Sequence, residues 1–183
     1  MSKRRTLKSA VTVLTAAAGV LAAAAGTANA ATGAILRASD NAVTPASITL
    51  QKTTVLRDEA THRCLESDTA STTGTNRVYT TTCTGSSPQA WGWYYDTAYG
   101  AYELKDGATG MCLDSNSSGS VYALKCNNGT YQRWIMTYDY IDDTYGFRDY
   151  TTGLMLDSNA SGSVYTNPNY ANANQSWYET LGR

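Results

Sequence analysis

The sequence repeats itself. Gln-x-Trp occurs three times, at Gln89-Ala90-Trp91, Gln132-Arg133-Trp134 and Gln175-Ser176-Trp177, with 43 residues from each Gln to the next. Equal steps between three such rare pairs mean one structural unit used three times. Other positions keep the same phase. Leu56-Arg57-Asp58, Leu104-Lys105-Asp106 and Phe147-Arg148-Asp149 open the units, and Thr61, Thr109 and Thr152 follow at one equivalent place. Cys64-Leu65-Glu66, Cys112-Leu113-Asp114 and Met155-Leu156-Asp157 come next, then Val78-Tyr79, Val121-Tyr122 and Val164-Tyr165. The loop from Ser67 to Arg77 in the first unit is longer than its counterparts in the other two.

The units read as β structure. Segments such as 89–95 and 101–105 alternate large and small side chains, and the connectors are rich in Gly, Asp, Asn and Thr. No sustained helical period follows residue 31. Short strands at even spacing predict a closed all-β fold, and three equal units add a pseudo-threefold axis. Gln and Trp two residues apart on a strand share a face. Trp91, Trp134 and Trp177 are therefore expected to meet as core, with Trp93 on the same face. Gln89, Gln132 and Gln175 are expected to satisfy buried backbone groups beside them.

The start of the chain differs from the rest. Lys3, Arg4, Arg5 and Lys8 precede an alanine-rich apolar run that ends at Ala28-Asn29-Ala30. This is the pattern of a secretory signal peptide over residues 1–30, and the two arginines leave the export route open. Its alanine richness suggests a bacterial source. Residues 31–52 lie outside the repeats and are expected to form a tail or an edge strand. The repeat domain is expected over 53–183.

Once the four basic residues of the leader are set aside, 10 basic and 15 acidic residues remain. A mildly acidic surface argues against nucleic acid and anionic membranes as partners. The chain has 14 Tyr and 4 Trp among many Ser, Thr, Asn and Gly. Such a surface suits a neutral, hydrated ligand and equally an ordinary exported β protein. An even cysteine count in an exported chain reads as two disulfides. A zinc site is disfavoured because no Cys-x-x-Cys pair exists, and no cofactor is expected.

Little in the sequence supports catalysis. His62 stands alone in a turn, without a nucleophile motif. Asp142 and Asp143 are adjacent at a hairpin tip, where two carboxylates seldom converge on one bond. Four glycosylation sequons begin at Asn116, Asn128, Asn159 and Asn174, and none is expected to be modified in a bacterial protein.

The tripled Gln-x-Trp, the Cys-Leu-Asp openings and a second cysteine six residues before the Gln resemble the ricin B-type β-trefoil lectins. The resemblance covers residues 53–183. It implies twelve strands in three lobes of about 43 residues, with a shallow glycan pocket on each lobe. It also implies disulfides Cys64–Cys83 and Cys112–Cys126, while the third lobe has Met155 and Asn169 instead.

In that family the Asp of Cys-Leu-Asp accepts hydrogen bonds from sugar hydroxyls. An aromatic ring two residues before the second Cys stacks on the sugar. Further polar contacts come from the residue after that Cys and the residue before the Gln. The second lobe then offers Asp114 and Asn127, with Tyr131 where Asn is usual, and the third offers Asp157 and Asn174. The first fits poorly, with Glu66, Thr84 and Pro88. All three lobes lack the stacking ring, since Thr81, Leu124 and Asn167 hold its place. Tyr79, Tyr122 and Tyr165 stand two residues earlier, on the same strand face but about 7 Å along it. Two readings stay open. Either the pocket has shifted and Tyr122 and Tyr165 stack, or the Asp residues form turns and the Tyr residues pack across strands.

The expected function is a secreted, non-catalytic lectin module for neutral, galactose- or xylose-like glycans or polysaccharide. The rival is a trefoil scaffold that binds a secreted protein partner, as an accessory subunit of a toxin, inhibitor or hydrolase complex.

Overall fold

The computed structural model describes residues 46–180. The signal peptide and most of the expected tail lie outside the described residues. Twelve strands carry the chain: β1 (Ile48–Asp58), β2 (Cys64–Ser67), β3 (Thr75–Thr81), β4 (Ala90–Asp96), β5 (Ala101–Asp106), β6 (Cys112–Ser115), β7 (Val121–Leu124), β8 (Trp134–Asp139), β9 (Thr144–Asp149), β10 (Met155–Ser158), β11 (Val164–Asn167) and β12 (Trp177–Thr180). A one-turn 3-10 helix precedes β4, β8 and β12 and ends on the repeat glutamine.

Six strands close a barrel. β1 pairs with β4, β4 with β5, β5 with β8, β8 with β9, β9 with β12, and β12 returns to β1, all antiparallel. Closure leaves the barrel without free edges. The other six form the hairpins β2–β3, β6–β7 and β10–β11. These join one another through β3–β7 and through the bridges Tyr79–Ser163 and Ser120–Tyr165. This is a β-trefoil, all-β as the repeats predict.

Residues 48–52 form the first half of β1, paired with Trp93–Asp96 of β4. The barrel therefore begins before the expected boundary at 53. Leu50 reaches over β4, where an added Cβ on Gly92 would lie only 3.4 Å from its Cδ1.

The repeated residues couple barrel to hairpins. Trp91, Trp134 and Trp177 are fully buried in one apolar cluster with Trp93. Their indole N–H groups donate to the carbonyls of Leu65, Leu113 and Leu156 at 3.1, 3.0 and 3.4 Å. Each Trp thus fixes the middle residue of its own Cys-Leu-Glu, Cys-Leu-Asp or Met-Leu-Asp segment. Asp58, Asp106 and Asp149 accept from both the backbone and the hydroxyl of Thr61, Thr109 and Thr152, which closes the turn into each hairpin.

Two disulfides, Cys64–Cys83 and Cys112–Cys126, tie the first two lobes. Each closes a short loop, a constraint of about 3 kcal/mol. The sequence reading missed one internal ion cluster. Arg133, the middle residue of the second Gln-x-Trp, is buried, and its guanidinium meets Asp96 at 2.8 Å and Glu103.

Candidate carbohydrate-binding sites

The repeat glutamine has a second task beside its backbone bonds. Gln132 Nε2 donates to Asp114 Oδ2 at 2.8 Å and to the Lys125 carbonyl, while its Oε1 accepts from the Asn127 N–H. Gln175 does the same with Asp157 Oδ2 at 2.9 Å, the Pro168 carbonyl and the Tyr170 N–H. Gln89 grips Glu66 Oε2 at 2.7 Å, the Thr82 carbonyl and the N–H groups of Thr84 and Gly85. The motif therefore fixes the carboxylate of each lobe and the loop after the second cysteine together. A carboxylate held in advance loses little freedom when a ligand arrives.

The tyrosines two residues before the expected stacking position lie closer to the carboxylates than an offset along the strand suggests. In each hairpin the carboxylate residue and the Tyr are direct cross-strand partners: Glu66 with Tyr79, Asp114 with Tyr122, Asp157 with Tyr165. Side chains of such a pair stand about 5 Å apart at Cβ. The stagger of the two strands makes the Tyr, not the residue at the usual stacking position, the neighbour of the acid.

In the second lobe these residues surround one cavity of about 340 Å³. Asp114, Tyr122, Leu124, Asn127 and Tyr131 line it. Asp114 is 4% exposed, and burial raises its carboxyl above the usual range, with Gln132 and Tyr122 opposing the shift. Tyr122 donates its hydroxyl to the Ser115 carbonyl at 3.1 Å, which sets the ring. Asn127 Oδ1 accepts from the Gly129 N–H at 2.7 Å, so its amide N–H₂ is left to donate. Tyr131 adds a second ring to the wall. Its position before the Gln was visible in the sequence, but only the one-turn helix brings it beside Asp114.

In the first lobe the carboxylate is bonded from within the protein. Glu66 is one methylene longer than Asp and reaches the Tyr79 hydroxyl, which donates to its Oε1 at 2.7 Å. With Gln89 on Oε2, both carboxylate oxygens have partners inside the protein. That bond pushes the Tyr79 phenol up to about 12. The Arg77 guanidinium lies 4.4 Å from the centre of the Tyr79 ring and covers it.

The third lobe is intermediate. Asp157 is buried, and Asn167 Nδ2 approaches its Oδ2 at 3.4 Å beside Gln175. Tyr165 is half-buried with its hydroxyl 3.5 Å from the Ser158 carbonyl. Asn174 sits in the one-turn helix Ala173–Gln175, its backbone N–H held by Asn172 Oδ1. The 380 Å³ cavity of this lobe includes neither Asp157, Tyr165 nor Asn174.

Groups considered for catalysis stay apart. His62 is an exposed turn residue with φ 58°. Asp143 accepts from the Tyr138 hydroxyl at 2.6 Å. Among the described residues, the cluster of metal-ligand type (Glu103, Cys112 and Cys126) has both its sulfurs committed to a disulfide.

The sequence matches the family described as Ricin-type beta-trefoil lectin domain over residues 52–177. No curated protein matches the chain. Among solved structures, the fold is similar to the designed 3-fold symmetric protein ThreeFoil at 22% identity and a TM-score of 0.62, over 70% of this chain and 97% of that one. It is similar to an exo-beta-1,3-galactanase from Clostridium thermocellum at 21% identity and a TM-score of 0.61, over 73% of this chain and 31% of that one. A mosquitocidal holotoxin matches at 17% identity and a TM-score of 0.66, over 72% of this chain and 17% of that one. At these identities the likeness to solved structures establishes the fold alone.

Proposed function

The chain belongs to the ricin-type β-trefoil lectin domain family, and on that footing we propose that it is a secreted, non-catalytic module that binds neutral, galactose- or xylose-like glycans. One observation carries the reading. In the second lobe a carboxylate held by Gln132, an amide oriented by Gly129 and two tyrosine rings converge on one open cavity. A pyranose offers vicinal hydroxyls to the first two and an apolar face to the rings. Asp114 accepts, Asn127 donates, and Tyr122 or Tyr131 covers the ring face.

The third lobe is the second candidate, through Asp157, Tyr165 and Asn174. If both lobes act, a polysaccharide engages them together and avidity exceeds that of either weak site. The disulfides and the leader pattern support export to an oxidising compartment. Leu124 at the family's stacking position favours the competing reading, a scaffold for a secreted protein partner.

A glycan array of the protein from Ala31 to Arg183, beside its Asp114→Ala/Asp157→Ala variant, tests this. Binding lost in the variant supports the lectin and names its sugar. A blank array from folded, oxidised protein overturns it and points to the scaffold.

A further inference from the structure

The third lobe lacks a disulfide where the other two have one, and a groove of about 380 Å³ lies there. Met155 and Asn169 stand at the positions of the two cysteines and both line it. The opposite wall is the β8–β9 hairpin, with Tyr138 and the tip residues Tyr140 and Ile141. We propose that this groove is a further saccharide site, for neutral sugar units, separate from the carboxylate pockets. It rests on the reading of the chain as a glycan binder.

The rings come first. Tyr140 and Ile141 are each 84% exposed, an apolar tip held out into water with the groove beside it. Tyr138 is held firmly. Its hydroxyl donates to Asp143, and its ring packs on Tyr145 at 4.9 Å, which in turn packs edge-on to the buried Trp93 at 5.1 Å. The groove therefore has one fixed ring and one open ring, the arrangement that covers a sugar's apolar face at low entropic cost.

The polar wall is equally prepared. Asn169 Oδ1 accepts from the Ala171 N–H and Asn172 Oδ1 from the Asn174 N–H. Both amides are oriented by these bonds, and each keeps its N–H₂ to donate to a hydroxyl. Gly146 lies on the groove, where an added Cβ would come within 3.0 Å of Met155 Cε and 2.7 Å of the Thr137 hydroxyl. Its lack of a side chain leaves room between Thr137 and Met155.

Charge selects the ligand class. Among the described residues no Lys, Arg or His lines the groove, Asp139 does, and Asp142 and Asp143 stand at the same tip. Uronates, sialates and phosphates are repelled there, whereas a neutral hexose or pentose is not.

Amide NMR titration of the protein from Ala31 to Arg183 with xylotriose and with lactose tests the proposal. The Asp114→Ala/Asp157→Ala and Tyr140→Ser variants are titrated alongside, with glucuronic acid as the charged control. Tyr140 is exposed, so its substitution leaves the fold intact. The expected result is that amides of 137–141 and 169–172 shift in the wild type and in the aspartate variant. Tyr140→Ser should weaken that binding about tenfold and leave the Asp114 cavity within about twofold, with no response to glucuronic acid. Shifts at the Asp114 cavity alone would overturn the groove and keep the lectin reading. Silence at both places overturns both. Groove shifts that follow protein concentration without sugar would make it a contact between copies and overturn the proposal.

Discussion

Glu66 in the first lobe and Asp114 in the second hold the same place. Each faces a Tyr across a hairpin and each is gripped by the repeat glutamine. Glu66 is partly exposed with both its oxygens bonded inside the protein, whereas Asp114 is buried and borders a cavity. The longer Glu66 side chain reaches the Tyr79 hydroxyl, so each of its oxygens has one partner inside the protein. Tyr122 donates its hydroxyl to the Ser115 carbonyl and still stands close enough to Asp114 to oppose the rise of that carboxyl. The lesson is that the Gln-x-Trp framework serves the fold in every lobe, while the bond made by the cross-strand Tyr hydroxyl differs between lobes.

The largest expected effect separates the two lobes directly. Asp114→Ala should reduce glycan affinity by about 10- to 100-fold, the loss of a charged hydrogen-bond acceptor, whereas Glu66→Ala should change it less than about twofold. Calorimetric titration with an array-identified sugar reads both. Equal losses from the two variants would break the comparison.

Stability comes next. Cys64→Ser/Cys83→Ser should lower unfolding free energy by about 3 kcal/mol in urea, and Cys112→Ser/Cys126→Ser by a similar amount. Met155→Cys/Asn169→Cys occupies the equivalent positions and should raise it by about 2 kcal/mol while narrowing the third-lobe groove. A variant pair that left the urea midpoint unmoved would show that the hairpin packing already supplies the constraint.

A smaller effect tests the Glu66–Tyr79 bond itself. Glu66→Gln removes the charge that Tyr79 and Gln89 share and should cost about 1–2 kcal/mol. Spectroscopic titration should show Tyr79, now up to about 12, returning toward the usual tyrosine range of about 10. While Glu66 is present, the folded protein holds the Tyr79 proton more tightly than the unfolded chain. Its contribution to stability is therefore lost as pH rises above about 10.

The smallest expected effect concerns acidity. Burial raises the Asp114 carboxyl, so it takes up a proton at a higher pH than an exposed Asp. Protonation removes the acceptor, and affinity should fall a few-fold as pH drops through that raised value. For stability the sign is opposite: the folded state binds this proton better, so Asp114 favours folding at low pH and loses that contribution as pH rises. Asp114→Asn should flatten both profiles.

Much of this was legible in the chain. The steps of 43 residues, the Trp core and the Asp–Thr turns follow from periodicity, because a thrice-used unit buries the same positions each time. The carboxylates Asp114 and Asp157 were legible as candidates only through the resemblance to the ricin B-type family. Arg133 was not. It stands between Gln132 and Trp134, where alternation sends a side chain outward, and it is buried because Asp96 of β4 and Glu103 of β5, 37 and 30 residues away, meet it. Tyr131 was visible as a departure from the pattern, but not as a wall of the Asp114 cavity. The groove beside Met155 left only a faint signal, the missing cysteine pair.

By itself the sequence determined the repeat, the closed β architecture and which residues hold each lobe together. Those depend on local spacing, which every copy of the unit obeys. Only the tertiary structure decided which carboxylate borders a cavity with two tyrosines, where those tyrosines stand and what fills the place of the third disulfide. Those depend on distances of a few ångströms between strands whose register no single strand encodes.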